Sequence, residues 1–248
     1  EDIYILLNFI NRRNSSGIYL ELGACDGHLY SNTFFFEKYL HFKGILIEPQ
    51  PNLFTYLQKN RSRNICINKA ICNTPGKVEF LTTTNNHHLP CGGILDEMST
   101  EHIKSWFKDN KNSYLVETDK LSSIFSKYNI TYIDLFSLDV EGAELSVLET
   151  IHFNNIEIYV ICIEISGEGQ KEQKCRDLLT KNGFTFKKSL GINEFWVNEN
   201  YSRKHLVYDP NHKINFTGIN NDRTSNLGKH YFVEQSLLEE INNACKKL

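Results

Sequence analysis

The stretch Tyr19–Gly27, YLELGACDG, and the stretch Gly44–Pro49, GILIEP, decide the fold of this chain. Each is an apolar run that predicts a buried strand, and the first leads through a glycine turn into a segment with a helical pattern. Asp26 lies in that turn, and Glu48 ends the second run 22 positions later. In an open α/β sheet, ligands bind at the carboxyl ends of the strands, and an acid after the second strand can hold both hydroxyls of a ribose. These features indicate a nucleoside cofactor.

The glycine turn at residues 23–27 discriminates between two kinds of nucleoside cofactor. A dinucleotide site needs the motif G-x-G-x-x-G, whose three glycines let backbone and helix approach a pyrophosphate. This turn reads Gly-Ala-Cys-Asp-Gly and places Asp26 where a phosphate would have to dock. S-adenosylmethionine carries a sulfonium, an amino group and a ribose but no phosphate, so the turn favours this methyl donor over NAD. A tight turn that binds no ligand stays open as the alternative.

Size, charge and cysteine usage narrow the function further. A chain of 248 residues fits one α/β domain with elaborations, and a net charge of −3 gives no field that attracts a polyanion. We therefore expect no nucleic-acid partner. No long apolar run is present, so no membrane span is predicted. Seven cysteines without a C-x-x-C pair, and the lack of a visible secretory leader, predict reduced thiols in a cytoplasmic protein.

Hydrophobic periodicity predicts the order of strands and helices. Strand and helix patterns alternate in five units, and two further strands form a hairpin that closes the sheet. The predicted strands span residues 18–22, 44–47, 65–73, 78–82, 132–138, 158–165, 184–190 and 193–200. The predicted helices span 3–10 and 31–39, begin at Pro51, follow a cap at Thr118, span 141–151, and end at Asn182. This order predicts an α/β fold whose sheet is mainly parallel, with one antiparallel strand from the hairpin.

Two segments depart from this alternation. Residues 83–113 contain Asn-Asn-His-His, a proline and a Gly-Gly pair before a helical piece around Trp106. Irregular segments of this length in a compact domain are usually functional lids or disordered. We predict one domain over residues 1–202, with 83–113 as a variable insertion on the acceptor side. Residues 203–248 form a predicted C-terminal extension that ends in a helix, whose apolar face offers a surface for a homodimer.

A second set of acidic residues follows two later strands. The block FSLDVEGAELSVLE, residues 136–149, places Asp139 after a buried strand and Glu141 in the next turn, and the strand IYVICIEIS contains Glu164 near its end. Neighbouring parallel strands lie about 5 Å apart, so Asp139 and Glu164 are expected to converge beside the cofactor. Two such carboxylates suit a hard divalent cation, or a base with an orienting acid. Glu141 and Glu144 have a simpler alternative, which is to complement a helix dipole.

At this point the sequence resembles the FkbM family of S-adenosylmethionine-dependent methyltransferases. The resemblance covers about residues 15–200, and its most specific element is D-V-E-G-A-E at 139–144. The matching segments, in the family's order, are ELGACDGHLYSNTFFFE, GILIEPQPNLF, NKAICN, SLDVEGAELSVLE and the strand that ends in Glu164. The resemblance implies a class I methyltransferase fold with a Rossmann-like sheet, and transfer of a methyl group to oxygen.

The resemblance also implies which residues bind the cofactor. The residues expected at its methionine end are Glu21, Gly23, Asp26 and Gly27, and Asn32 is expected at the start of the following helix. The residues expected at the ribose, the adenine and the transferred methyl group are Glu48, Ala70 and Asp139, respectively.

The expected reaction is O-methylation of a sugar or glycan hydroxyl, with a non-sugar small molecule or a catalytically silent binding module as alternatives. A sugar hydroxyl is a poor nucleophile, so a base or a metal must take its proton. We expect Asp139, Glu164 and Glu141 to carry the catalysis. Asp139 and Glu164 are also candidate ligands for magnesium or manganese, which prefer oxygen ligands. Glu141 or a loop histidine such as His87 or His88 would complete that site.

Overall fold

The order of the strands shows how the chain brings its acidic strand ends together. The protein, seen in a computed structural model, is described over residues 1–10, 17–83, 91–107, 111–165 and 169–202. Its strands are β1 (Ile18–Leu22), β2 (Lys43–Ile47), β3 (Ile65–Ile67), β4 (Ala70–Ile71), β5 (Lys77–Thr83), β6 (Gly93–Ile94), β7 (Lys111–Asp119), β8 (Tyr132–Leu138), β9 (Glu157–Glu164), β10 (Phe184–Leu190) and β11 (Asn193–Asn198). Its α-helices are α1 (Asp2–Ile5), which continues as a π-helical turn over Leu6–Ile10, α2 (Phe34–Leu40), α3 (Pro51–Asn60), α4 (Thr100–Trp106), α5 (Leu121–Tyr128), α6 (Glu144–Leu148) and α7 (Gln170–Lys181).

Seven strands form the main sheet in the order β3-β2-β1-β8-β9-β11-β10. The neighbouring strands β3, β2, β1, β8 and β9 run parallel to one another, whereas β11 is antiparallel to both β9 and β10. The predicted fold class is therefore confirmed: the sheet is mainly parallel, with one antiparallel strand that comes from a C-terminal hairpin.

The central strands are buried on both faces, which explains their continuous apolar runs. In β8, the adjacent residues Leu135 and Phe136 are both fully buried, and they belong to cores on opposite faces of the sheet. Helices α5, α6 and α7 pack on one face, and helices α1, α2 and α3 pack on the other. The carboxyl ends of the strands are left for the loops that carry the acidic residues.

A smaller sheet, in the order β4-β7-β5-β6, accompanies the main sheet. The single strand predicted over residues 65–73 is wrong, because this segment divides into β3 and β4, which belong to different sheets. Asn68 lies at the break, and its side-chain amide donates to the carbonyl oxygens of Glu48 and Pro49 at 2.8 and 2.9 Å. These two bonds hold the backbone where it leaves the main sheet.

Two further predictions for the middle of the chain are corrected by the structure. Residues 83–113 are not irregular throughout, since β6, α4 and the start of β7 lie within them. Thr118 was expected to cap a helix, but it lies in β7, and Lys120 is the N-cap of α5. The helical piece around Trp106 is confirmed as α4. His87, His88 and the extension over residues 203–248 lie outside the described residues.

The main sheet reverses its strand order at β1, which lies between β2 and β8. Ligands of open α/β sheets bind at such a point, outside the carboxyl ends of the strands. Gly23 follows β1 there with a φ of 76°, and a Cβ on it would lie 1.9 Å from the carbonyl oxygen of Asp139. Only glycine lets the two strand exits approach this closely.

Two predictions can be compared with the described part of the chain: that no helix spans a membrane, and that the cysteines are reduced. No helix within it is long and apolar enough to cross a membrane. Its cysteines are free thiols, as expected for reduced residues: Cys25, Cys66, Cys72, Cys91, Cys162 and Cys175.

Candidate cofactor and acceptor site

A buried arginine side chain contacts the glycine turn and donates a hydrogen bond to it. Arg61, at the C-terminal end of α3, is 1 % exposed, and every N–H group of its guanidinium donates a hydrogen bond. The acceptors are the carboxylate of Glu37, the carbonyl oxygen of Gly27 (2.8 Å), and the hydroxyls of Ser31 (3.1 Å), Tyr19 (2.7 Å) and Thr33 (3.0 Å). A Cβ on Gly27 would lie 2.6 Å from Arg61 Cγ, so the turn closes onto this side chain only as glycine.

Glu21 is part of the same buried network. Its carboxylate accepts hydrogen bonds from the Asn32 N–H at 2.9 Å and from the hydroxyls of Ser31 and Thr33 at 2.9 and 2.6 Å. Burial raises the pKa of Glu21 even though the Arg61 charge, with Nη1 at 3.8 Å, opposes this shift. In this structure the carboxylate holds the segment that enters α2. Its predicted contact with the methionine end of the cofactor stays a prediction.

Asp26 and Asn32, two further predicted cofactor residues, also make bonds that shape the site. The Asp26 carboxylate accepts from the backbone N–H groups of His28 and Leu29 at 2.9 and 2.7 Å, which fixes the turn. The Asn32 side-chain amide donates to Ser137 Oγ at 3.2 Å and so connects the start of α2 to β8. Both residues are partly exposed and lie near the carboxyl end of β1.

Glu48 follows β2 and points its carboxylate at the same switch point. It is 2 % exposed, and its two oxygens accept from the N–H groups of Cys25 at 2.9 Å and Gln50 at 2.7 Å. Burial raises the pKa of Glu48 to about 8, because these two backbone bonds offset only part of the desolvation cost. A carboxylate has about four lone-pair sites, so two backbone donors leave room for the hydroxyl donors of a ribose.

A cavity of about 440 Å³ opens beside Glu48 and is called the apolar cavity below. It is lined by Gly23, Glu48, Pro49, Gln50, Ala70, Ile71, Phe80, Gly92, Ile94, Asp139, Val140, Glu141 and Ala143. The small sheet supplies Phe80 and Ile94, so that one wall comes from strands that have no part in the main sheet. Ala70, predicted near the adenine, lies in this wall. Acids at one end and apolar side chains elsewhere fit an adenosine that carries no phosphate.

The predicted acidic residues of the later strands meet at the edge of this cavity. Asp139 and Glu141, both in the loop after β8, and Glu164, at the end of β9, place carboxylate oxygens within 4.8 Å of one another. Asp139 and Glu164 also share a hydrogen bond. Glu141 adopts a φ of 57°, an unusual backbone conformation for a residue with a Cβ. The cluster thus includes a strained residue, a feature common at functional sites.

Burial and mutual repulsion change the protonation of this cluster. Burial, followed by the charge of Glu164, holds the pKa of Asp139 well above its usual range. Burial also raises the pKa of Glu141 to about 8 and that of Glu164 to about 7. Their shared hydrogen bond raises the pKa of Asp139 and lowers that of Glu164. The cluster therefore holds protons near neutral pH and releases them when a cation binds.

A second cavity, of about 760 Å³, lies on the other side of Glu141 and is called the acidic cavity below. It is lined by Glu97, Ser99, His102, Glu141, Gly142, Glu144, Glu164, Ile165, Lys171, Glu172 and Cys175. Glu141 lines both cavities, and Asp139 lines the apolar one beside it. Glu141 is thus the lining residue that the two cavities share.

Several residues of the site were not found by the sequence analysis. His102 of α4 places Nδ1 3.4 Å from Glu141 Oε2, while its Nε2 lies 3.2 Å from the carbonyl oxygen of Cys91. Because that carbonyl can only accept, Nε2 carries a hydrogen and Nδ1 faces the carboxyl. Gln50 and Arg61 were also missed. Their only sequence signal was position, since Gln50 follows Glu48 closely and Arg61 ends the next helix.

Comparison with known proteins supports a family assignment. The family model described as the methyltransferase FkbM domain matches residues 21–186. Solved structures with a similar fold include fibrillarin from Aeropyrum pernix bound to S-adenosyl-L-methionine, at 10% identity and a TM-score of 0.44 over 74% of this chain and 67% of that chain. A methyltransferase from Pyrococcus furiosus is similar at 14% identity and a TM-score of 0.38, over 79% of this chain and 80% of that chain. The chain matches none of the curated proteins with which it was compared.

The family match covers well over half of the chain and includes the glycine turn, Glu48, Ala70 and the acidic cluster. The main sheet has the class I, Rossmann-like arrangement of mostly parallel strands. The chain therefore belongs to the FkbM family of S-adenosylmethionine-dependent methyltransferases.

Proposed function

We propose that the protein transfers a methyl group from S-adenosylmethionine to a hydroxyl oxygen of a sugar or glycan. The observation that carries this proposal is the shared wall between the two cavities. Glu141 lines both cavities, and Asp139 and Glu164 lie within 4.8 Å of it. A methyl donor in the apolar cavity and an acceptor in the acidic cavity would meet at these three carboxylates.

The residues around the apolar cavity fit the donor. Glu48 accepts the ribose hydroxyls, and Ala70, Phe80 and Ile94 enclose the adenine between them. Asp139 lies beside the sulfonium, whose positive charge favours the ionised carboxylate. When bound, the donor supplies an activated methyl group with its own leaving group, so the protein must mainly align the acceptor oxygen with it.

The acidic cluster supplies the proton acceptor that a hydroxyl nucleophile needs. With Asp139 ionised beside the sulfonium, its carboxylate takes the proton of the attacking hydroxyl, and a protonated Glu164 stabilises that carboxylate by donating their shared hydrogen bond. Glu141 holds His102 at the rim, 3.4 Å away. Carboxylates are also the acceptors that the remaining hydroxyls of a sugar require. This supports a sugar over an apolar small molecule.

The donor site is tested by calorimetry. S-adenosylmethionine should bind saturably, and Glu48→Ala should weaken the affinity about 100-fold or more, because a buried acceptor of two ribose hydroxyls is lost. Glu149→Ala, at an exposed position just after α6, is the matched control and should bind as the unaltered protein does. Unchanged affinity in Glu48→Ala would place the donor elsewhere.

The acceptor is tested by measuring S-adenosylhomocysteine release with a panel of sugars and short glycans. Release with a sugar, and methylation of its oxygen by mass spectrometry, support the proposal. Binding of S-adenosylmethionine without release of S-adenosylhomocysteine with any sugar would favour one of two alternatives, a non-sugar acceptor or a catalytically silent binding module. A non-sugar hydroxyl compound that is turned over identifies the first, and silence with every acceptor indicates a binding module that retains the fold.

A second mechanism is favoured by one observation, the three carboxylates that lie within 4.8 Å. Such oxygen ligands suit magnesium or manganese, and His102 beside Glu141 offers a further ligand. Bound there, the ion would lower the pKa of the acceptor hydroxyl. The measurement is activity in excess EDTA. Activity that survives EDTA but is abolished by Asp139→Asn identifies Asp139 as the base, and activity restored only by added Mg²⁺ or Mn²⁺ identifies the metal.

A further inference from the structure

The acidic cavity is lined by more acidic than basic side chains. Five of its lining residues are glutamates, namely Glu97, Glu141, Glu144, Glu164 and Glu172, and its other ionisable residues are His102, Lys171 and Cys175. Carboxyl groups are thus the most numerous ionisable groups of its lining.

The positive charge of Lys171 is already used by one of these glutamates. Its ammonium forms an ion pair with the Glu97 carboxylate and donates to the Glu97 carbonyl oxygen at 3.0 Å. Glu97 also accepts a hydrogen bond from Ser146. This pair ties α7 to the segment before α4 and leaves Lys171 poorly placed to neutralise an anion in the cavity.

The other glutamates reach the cavity from separate elements. Glu164 ends β9, Glu141 lies in the turn after β8, Glu144 begins α6, and Glu172 lies in the first turn of α7. Glu144 is 8 % exposed, and its Oε1 accepts from the N–H groups of Val140 and Gly142 at 3.1 Å. Converging carboxylates repel one another, and a cation bound between them removes that cost.

Building on the proposed function, we infer that the methyl acceptor carries a positively charged amino group, as an amino sugar with a free ammonium does. The hydroxyl to be methylated lies at the acidic cluster, and the ammonium lies deeper in the acidic cavity, toward Glu144, Glu164 and Glu172. Phosphate-bearing acceptors, such as nucleotide-linked sugars, are disfavoured, because a phosphate repels ionised carboxylates. The cavity selects the acceptor by its charge.

The test uses analogues of S-adenosylhomocysteine whose sulfur is replaced by a nitrogen that carries an arm reaching past Glu141. Three arms of similar length are compared by calorimetry in buffer with EDTA: 3-aminopropyl, butyl and 2-carboxyethyl. The aminopropyl compound should bind about tenfold tighter than the butyl compound, and the carboxyethyl compound should bind weakest. Equal affinities, or tightest binding of the carboxyethyl compound, overturn the inference.

Two variants show where the discrimination arises. Glu172→Gln should reduce the ratio between the aminopropyl and butyl affinities, because one carboxylate of the cavity is removed without a change of shape. Glu149→Gln, which lies outside both cavities, should leave the ratio unchanged. S-adenosylhomocysteine itself is the reference. If S-adenosylhomocysteine does not bind, the proposed function is wrong. If it binds but the three arms give equal affinities, only the inference about the charge of the acceptor is wrong.

Discussion

Two groups of acidic residues near the carboxyl ends of the main sheet have opposite surroundings. On the β1 side, Glu21 lies against Arg61, whose donors are all used by the protein itself. On the β8 and β9 side, the charges that act on Asp139 are those of other carboxylates, Glu164 first among them. The charge of Glu21 is balanced by Arg61 within the fold, whereas the charges that act on Asp139 have the same sign as its own.

The difference separates a supporting role from a chemical one. The Glu21 carboxylate, with Arg61 close by and three hydrogen-bond donors, holds the turn that faces the ligand. Carboxylates that face one another keep raised pKa values and respond strongly to any cation that arrives. We expect substitutions in the first group to change stability and substitutions in the second to change binding or turnover.

The largest expected effect is that of Arg61→Met. Removing the guanidinium leaves the buried Glu21 and the partly exposed Glu37 without their cation, and should lower the free energy of unfolding by about 3–5 kcal/mol. Urea denaturation measures the change, and Lys59→Met, at an exposed position of the same helix, is the control. A loss of less than about 1 kcal/mol would show that the Arg61 network is not the support described here.

Gly23→Ala tests the contact between the exits of β1 and β8. The new methyl group would lie 1.9 Å from the Asp139 carbonyl oxygen, so the strand exits must separate, at a cost of about 3 kcal/mol. Gly76→Ala is a matched control, since Gly76 also has a positive φ but a Cβ there meets nothing within 4 Å. It should cost about 1 kcal/mol. Equal losses in thermal and urea unfolding would refute the close approach.

The pH dependence of stability reports on Glu48. Its folded pKa of about 8 exceeds the ordinary glutamate value of 4.5, so the folded state holds more protons than the unfolded state between these values. Stability is therefore greatest below the unfolded pKa and falls as the pH rises through about 8. We expect the melting temperature to drop by about 5 °C between acidic and mildly alkaline pH.

Glu48→Gln should make that decline shallower, because the substituted side chain does not titrate. The exposed variant Glu149→Gln is the control and should keep the full slope. A slope that is the same in both variants, or a melting temperature that rises with pH, contradicts the burial cost assigned to Glu48.

The smallest expected effect concerns the hydrogen bond from Asn32 to Ser137, which joins the start of α2 to β8. Asn32→Ala should lower stability by about 1 kcal/mol. A double-mutant cycle with Ser137→Ala, followed by urea denaturation, isolates the bond itself and should give a coupling of similar size. Strict additivity would mean that this bond contributes nothing to the junction.

Much of the fold was predictable because it rests on local patterns. Strands β1 and β8 were predicted to the residue, since both are apolar runs bounded by turn residues. Of the small sheet only β5 was predicted: β4 and β6 are two residues long and show no periodicity, and β7 was divided between the irregular segment and the expected helix cap at Thr118. Thr118 was misassigned because a β-branched residue before an amphipathic helix suits a cap and a strand equally well.

The sequence by itself determined the order of strands and helices, the positions of Glu48, Asp139 and Glu164 at strand ends, and the family of the chain. These follow from periodicity, turn residues and short motifs, which are local. The tertiary structure alone decided that His102 lies against Glu141, that Arg61 lies beneath the glycine turn, and that five glutamates share one cavity. Such contacts join residues far apart in the chain, and no local pattern specifies which distant side chains will meet.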